Sequence, residues 1–250
     1  MSTAQLMFVH TRYNLVETAR VPIAVIGSLV FPTLAFCLFV LPQSYVTEDP
    51  QMATASVASM VVFAFMSAGL FSIGIDLAEQ RAKPWVPFIR TLPAKPSVRI
   101  GGLLLATVAI AVLAMVPLLV VGALFTAAAP TAGQLVAAMA LAILTSAPSM
   151  LIGVIIGTLS GPKAAIAVTQ VAMFLLAFGG GLFLPPQMFA PWLDSASSFL
   201  PVRQAREIVV GTATGGAVPW WAVLGIIAWT LVLGALAVWL YRRDEGRRYR

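Results

Sequence analysis

Six long apolar segments limit how this chain can fold more than any other feature. They cover roughly Val21–Leu41, Thr54–Ile75, Ile100–Phe125, Leu135–Leu159, Ala164–Phe183 and Pro219–Leu240. An α-helix needs about 20 mostly apolar residues to cross a bilayer core of about 30 Å, and no charged residue lies clearly inside any of the six. Charged residues make up only 10% of the chain, against about 25% in soluble domains. The sequence therefore predicts an all-α, polytopic membrane protein whose single domain, residues 1–250, has six transmembrane helices.

The Lys and Arg residues indicate how these helices are oriented. Thirteen of the 15 precede the first apolar segment or follow the second, fourth and sixth, whereas only Arg203 and Arg206 lie in the alternate connections. Because Lys and Arg accumulate in cytoplasmic loops, we expect both termini, including the basic tail 241–250, to lie in the cytoplasm. The protein would then reside in the inner or plasma membrane of the cell. The net charge of +6 reflects this topology, and no nucleic acid partner is expected.

Residues 1–20 precede the first apolar segment and show a helical pattern. The apolar residues of the pattern recur at positions i, i+3, i+7 and i+10, namely Leu6, Val9, Tyr13 and Val16. Polar residues, among them His10, Arg12 and Glu17, lie between them. The pattern predicts a leading helix that lies along the cytoplasmic membrane face. The alternative is a frayed terminus.

The apolar segments lack the groups that membrane enzymes and ion-driven carriers place inside the bilayer. Neither an H-E-x-x-H motif nor a G-x-x-x-x-G-K-[ST] loop occurs in the sequence, so a zinc protease and an ATP-binding loop of that type are not encoded. The single cysteine, Cys37, can form no internal disulfide. We therefore predict no catalytic site, no metal site and no cofactor. Active transport would have to draw its energy from a partner.

Three glycines, Gly153, Gly157 and Gly161, form two consecutive G-x-x-x-G steps at the end of the fourth apolar segment. Such steps allow two helix backbones to approach closely. They are interpreted either as ordinary packing within the chain or as a contact between two copies.

The inside loop of residues 76–99 carries a short amphipathic pattern. Its apolar residues, at i, i+3, i+4 and i+7, are Trp85, Phe88, Ile89 and Leu92. Pro84 can begin a helix there and Pro93 ends it. Aromatic residues with Arg90 beside them are typical of anchors in protein interfaces, although the helix could also lie in the headgroup layer.

The outside segment of residues 184–216 is too broken to span a membrane and too apolar for a free loop. It contains four prolines, and its aromatic residues include Phe189, Trp192 and Phe199. We expect a re-entrant hairpin followed by a helix near Val202–Val210 that ends at Gly211. In that helix Arg203 and Glu207 are spaced to pair. The segment either caps the outer ends of the helices or forms a gate or substrate exit, with Phe189, Trp192, Phe199, Arg203 and Glu207 as its candidate residues.

These patterns together resemble the permease subunits of type-2 ABC exporters, in particular the daunorubicin-resistance type. The resemblance on the inner side rests on Glu79-Gln80-Arg81, on Arg90–Pro96 and on the glycines of Gly101–Leu104. On the outer side it rests on Leu184-Pro185-Pro186, Pro191-Trp192-Leu193, Leu200-Pro201-Val202 and Arg206-Glu207.

The resemblance implies that the loop of residues 76–99 couples to a separate ATP-hydrolysing subunit, and that this chain is not itself an enzyme. The docking residues it implies are Arg12, Glu79, Arg81, Trp85, Phe88 and Arg90. It also implies a homodimer or heterodimer of permeases with two copies of the ATPase, embedded in the lipid bilayer.

The cargo can be considered from the residues themselves. Segments without ionised groups favour an amphiphilic or hydrophobic compound, such as a drug or lipid, because a fixed charge there costs about 2.5–3.5 kcal/mol. The alternative to an ATP-driven permease is a passive channel or facilitator, or a membrane assembly scaffold, which would need no ATPase.

Overall fold

The computed structural model describes residues 3–20, 22–84 and 96–247, with the side chains of residues 3, 22–28, 45, 96, 97, 99, 241, 242 and 244–247 outside that description. The described ranges contain twelve α-helices and no strand. In chain order they are α1 (Thr3–Ala19), α2 (Pro22–Phe39), α3 (Ser44–Thr47), α4 (Pro50–Ala68), α5 (Gly74–Ala82), α6 (Pro96–Phe125), α7 (Ala132–Thr145), α8 (Ala147–Leu159), α9 (Pro162–Gly179), α10 (Pro191–Ser197), α11 (Pro201–Thr214) and α12 (Trp220–Arg247). A π-helical turn, Gly69–Ile73, joins α4 to α5, and a 3-10 turn, Pro186–Met188, precedes α10.

Local chemistry explains where many of these helices begin. Six of them, α2, α4, α6, α9, α10 and α11, have proline as their first residue, where the missing N–H is not needed and the fixed φ suits a helix. Before α4, the side chain of Asp49 accepts a hydrogen bond from the amide of Met52 at 2.7 Å. Before α7, Thr131 and Gln134 form a reciprocal capping box.

Five helical segments of the described chain are long and apolar enough to cross a membrane. They are Pro50–Ala82, Ile100–Phe125, Ala132–Leu159, Pro162–Gly179 and Trp220–Leu240. The first predicted span coincides with α2, of which Leu29–Phe39 is described as a shorter apolar helix. The all-α class and the multi-pass membrane character are therefore confirmed, whereas a count of six spans and the cytoplasmic termini stay predictions.

The continuous helix from Pro50 to Ala82 is the centre of the bundle. Most of its length is buried, whereas α9 and α12 bury only a small part of theirs. Large apolar side chains on the surrounding helices point outward, including Leu124, Leu175 and Leu231. An apolar surface of that extent is not stable in water, so these faces are suited to lipid or to a membrane partner.

A seam of glycines joins the central helix to α8. A Cβ atom at Gly153 would overlap the carbonyl oxygen of Gly69, and one at Gly157 would lie 2.8 Å from that of Gly74. A Cβ atom at Gly161, in contrast, would have no neighbouring atom within 4 Å. For Gly153 and Gly157, the interpretation as packing within the chain is therefore confirmed.

The leading helix α1 packs along the start of α6. Cβ atoms at Gly101 and Gly102 would lie 2.6 Å from side-chain atoms of Met7 and His10, respectively. The packed face is thus offset from the predicted apolar stripe, of which Tyr13 remains 70% exposed. The helix itself is confirmed, and its position along the membrane face stays a prediction.

Candidate functional site

A cavity of about 660 Å³ opens at the end of the bundle where α1, the end of α5 and the beginning of α6 meet. We call this the inner end, and the end that carries residues 184–216 the outer end. The cavity lies between α1, α2, the central helix and α6, and Gln170 of α9 reaches it from the remaining side.

Charged side chains surround the inner part of this cavity. Asp76 and Glu79 lie three residues apart on α5 and therefore share one face of that helix. Glu17 reaches the cavity from α1, and its carboxylate lies 3.6 Å from the ammonium of Lys83. The lining thus holds three carboxylates and one ammonium, so its net charge is negative.

The far part of the cavity is lined mainly by apolar side chains. They include Phe31 and Phe71, with Ser67 and Thr107 as polar neighbours. Both hydroxyls are used within their own helices, since Ser67 donates to Ala64 and Thr107 to Leu103. Glu79 and Ser67 are twelve residues apart on the central helix, which corresponds to about 18 Å at 1.5 Å per residue. The cavity therefore runs from a charged mouth towards the apolar middle of the bundle.

Arg81 joins α5 to the end of α8. Its guanidinium donates to the carbonyl oxygen of Gly157 at 2.9 Å and to that of Thr158. Because the last carbonyls of a helix have no partner within it, a cation at this position both completes their hydrogen bonds and complements the helix dipole. Arg81 is therefore a C-terminal cap of α8.

At the outer end, α11 is a buried helix that packs between α4, α7 and α12. The predicted end at Gly211 is wrong, because the helix continues for almost another turn to Thr214. Gly211 lies inside it, where a Cβ would be 2.9 Å from the carbonyl oxygen of Ala217. The helix ends at Gly215, whose φ of 70° is the left-handed conformation that glycine adopts most easily.

A hydrogen-bonded charge network holds α11 to α10. One carboxylate oxygen of Glu207 accepts from Nε of Arg203 at 2.8 Å and from Arg206 at 2.9 Å. Arg203 also contacts the carboxylate of Asp194 and the hydroxyl of Ser197, each at 3.1 Å. Burial lowers the pKa of the Arg206 guanidinium, and the Glu207 carboxylate opposes part of this shift. The predicted pairing of Arg203 with Glu207 is confirmed as geometry.

The aromatic residues of the hairpin lie apart from this network. Trp192 and Phe199 are 73% and 75% exposed, and Phe189 is partly buried. The backbone carbonyl of Phe199 accepts a hydrogen bond from the indole of Trp229 at 2.8 Å, which ties the hairpin to α12. The structure therefore separates the five predicted gate residues into the ion pair of Arg203 and Glu207, the exposed Trp192 and Phe199, and the partly buried Phe189.

Comparison with known proteins identifies the architecture. The sequence profile of the ABC-2 type transporter family matches residues 5–214. The chain belongs to this family. It is also similar to "Putative transport permease YvfS" of Bacillus subtilis (strain 168), with 22% identity over 223 residues, or 89% of this chain and 91% of that protein. The protein is therefore an ABC transporter permease of the ABC-2 type, and the resemblance noted in the sequence is confirmed.

The residues predicted to dock an ATPase occupy different places in the permease. Arg12 is exposed on α1, and Glu79 lies at the mouth of the inner cavity. Arg81 caps α8. Trp85, Phe88 and Arg90 lie outside the described residues. Docking by any of the six stays a prediction.

Sequence reasoning did not find several polar residues that the permease brings together. Asp76 was visible as an acidic residue at the inner end of an apolar segment, but Glu17 lies on another helix and joins it only in three dimensions. Likewise, Asp194 and Ser197 precede Arg203 by nine and six residues and are not on its helix. No helical periodicity relates them, so no local signal could have identified these contacts.

Proposed function

We propose that this permease exports an amphiphilic or hydrophobic compound, driven by ATP hydrolysis in a separate subunit. In the assembly two permeases, identical or different, would face each other in the inner or plasma membrane. Two copies of the ATPase would bind at the inner end, which we assign to the cytoplasm together with both termini. The membership of the ABC-2 type family supports an ATPase partner.

The connection between α5 and α8 is the observation that carries this proposal. Residues 76–82 of the predicted loop belong to helix α5, and residues 96–99 belong to α6. We propose the segment of residues 76–99 as the coupling segment. Arg81, near the end of α5, is bonded to the last carbonyls of α8, and the glycine seam leaves almost no space between the two backbones. Because close-packed elements transmit displacement rather than absorb it, a push on the coupling segment would move α5 and α8 together.

The outer end supports the role of a closed exit in this state. Helix α11 fills the space between α4, α7 and α12, and Arg203 ties it to Asp194 and Ser197 of α10. Opening would require α11 or its neighbours to shift. Trp192 and Phe199, exposed on the hairpin, are suited to the membrane–water interface, where aromatic side chains are enriched.

Co-purification tests the coupling proposal. The permease is expressed together with candidate ABC ATPases from its own genome, and the complex is isolated through a tag on the permease. Replacing Trp85, Phe88 and Arg90 by alanine should abolish recovery of the ATPase, because it removes the aromatic and cationic anchors. Membrane insertion and the elution volume of the permease should remain normal. Lys163→Ala, which changes an exposed cation at the α8–α9 junction, is the matched control and should retain the ATPase.

Normal recovery of the ATPase with the triple variant would contradict docking through this loop. Vesicles that contain only the permease provide the test of energy supply. Uphill transport in those vesicles without any ATPase would contradict the proposal as a whole, and downhill leakage of cargo would favour the passive facilitator.

A further inference from the structure

The inner cavity has properties that transport driven by an ATPase does not by itself require. Its volume of about 660 Å³ lies within the range of about 300–1,000 Å³ that is common for small-molecule sites. Its mouth is acidic and its far wall is apolar. A molecule that matched both parts would combine a positive charge with a hydrophobic body.

We propose that this cavity is the site where the permease takes up an amphiphilic organic cation from the inner side. The positive group would lie among Glu17, Asp76 and Glu79, and the apolar body against Phe31 and Phe71. This inference rests on the proposed function, because an exported molecule needs a site that is open to the inner side before transport.

The charges at the mouth of the cavity favour a ligand of positive charge. Lys83 lies beside Glu17 and also attracts Asp76, so a single ammonium faces three carboxylates in the lining. The surplus negative charge is available to a ligand cation. The same carboxylates repel an anion of equal size, so they discriminate by charge rather than by shape.

The arrangement of the carboxylates favours an organic cation over a metal ion. Within the described residues, no three acidic, histidine or cysteine side chains are close enough together to hold a metal. A calcium ion requires six to eight oxygen ligands at about 2.3–2.6 Å, and carboxylates spread around an opening do not provide them. A larger cation with a delocalised or shielded charge can contact them singly.

The far wall explains why the ligand should also be apolar. Phe31 packs against the buried Phe63 with a centroid distance of 5.7 Å, so its ring is held in position at the far wall of the cavity. Phe71, on the π-helical turn, forms part of the same wall. Aromatic faces bind both hydrocarbon groups and the positive edge of a cationic ligand.

Binding of two probe ions to the purified permease tests the proposal. Tetraphenylphosphonium and tetraphenylborate have the same four phenyl groups and nearly the same size but opposite charge. Equilibrium binding is measured in lipid nanodiscs, and the uptake by empty nanodiscs is subtracted. We expect saturable binding of the phosphonium to the wild-type permease and binding of the borate at least tenfold weaker.

Variants then locate the site. The double substitution Asp76→Asn with Glu79→Gln should weaken phosphonium binding at least tenfold and strengthen borate binding, because it removes both charges and keeps the shapes. Glu48→Gln, an exposed carboxylate of the outer end, is the matched control and should bind like the wild type. Should the double variant fail to fold, Glu17→Gln on the exposed side of α1 is measured instead, with a smaller loss expected.

Two results would overturn the proposal: equal affinity of the wild type for both ions, or phosphonium binding that neither cavity variant changes. The assay uses the permease without ATP or ATPase, so its result does not depend on coupling. Loss of the cation site with normal ATPase recovery would contradict only this inference. Loss of ATPase association with intact cation binding would contradict only the proposed coupling.

Discussion

At the outer end of the bundle, Arg203 and Arg206 are buried and both donate to the same carboxylate oxygen of Glu207. At the inner end, Asp76 and Glu79 line an open cavity instead. Both sets of charges lie next to apolar helices, but the outer charges bond to one another. The comparison indicates that the outer charges stabilise one arrangement of helices, whereas the inner charges are arranged to meet a ligand.

The energetic reason lies in desolvation. Removing a charged group from water is expensive, and a buried ion pair is stable only when its hydrogen bonds are made within the protein. The outer network makes most of these hydrogen bonds through the shared carboxylate oxygen of Glu207 and through Asp194 and Ser197, although Nε of Arg206 has no hydrogen-bond partner among the described residues. The inner carboxylates line a cavity whose described lining residues include no arginine.

The largest effect on stability is expected from removal of the shared outer carboxylate. Glu207→Ala should lower the free energy of unfolding by about 3 kcal/mol, because it leaves two buried guanidinium groups without their main acceptor. Denaturant titration of the purified permease measures this loss. Glu48→Ala, on the exposed surface of the same end, should change it by less than about 0.5 kcal/mol. Similar losses of stability for the two variants would show that Glu207 stabilises the fold no more than an exposed carboxylate does.

A smaller effect is expected in the glycine seam of the inner half. Gly153→Ala should lower the free energy of unfolding by about 1–3 kcal/mol, since the new methyl group forces α8 away from the carbonyl of Gly69. Gly133→Ala, inside α7 with nothing within 4 Å, is the matched control and should be neutral or stabilise by about 0.5–1 kcal/mol. A loss of stability for Gly153→Ala with a gain for Gly133→Ala would show that close packing stabilises the inner half of the bundle as well as the outer end. An equal loss of stability in both variants would contradict close packing at the glycine seam.

The smallest effect is expected where the hairpin meets α12. Trp229→Phe removes the hydrogen bond to the carbonyl of Phe199 and should cost about 0.5–1.5 kcal/mol. Thermal unfolding, followed by fluorescence-detected size exclusion, measures the change. Trp220→Phe alters an exposed indole and should have no effect. If both variants unfold at the same temperature, the hydrogen bond of Trp229 does not stabilise the hairpin, and the hairpin is held by α11 and its charge network instead.

Much of the architecture could be predicted because it depends on composition and short-range pattern. The apolar segments identified the long helices, five of which are long and apolar enough to cross a membrane in the described chain. The pairing of Arg203 with Glu207 followed from their spacing of four on one helix. Each of these features is governed by residues within one or two turns of each other.

Other features could not be predicted because they depend on residues far apart in the chain. Arg81 was predicted to dock a partner, and its contact with α8 involves residues 76 and 77 positions away. A spacing rule cannot find such a contact, because it exists only after the helices have packed.

The sequence by itself determined that this chain is a membrane-embedded helical protein, because the hydrophobic effect and the cost of unsatisfied backbone groups in lipid depend on residue type alone. Only the tertiary structure decided which charges are used internally and which face a cavity. That choice depends on which helices meet, and identical carboxylates have opposite roles according to whether a guanidinium or an open volume lies beside them.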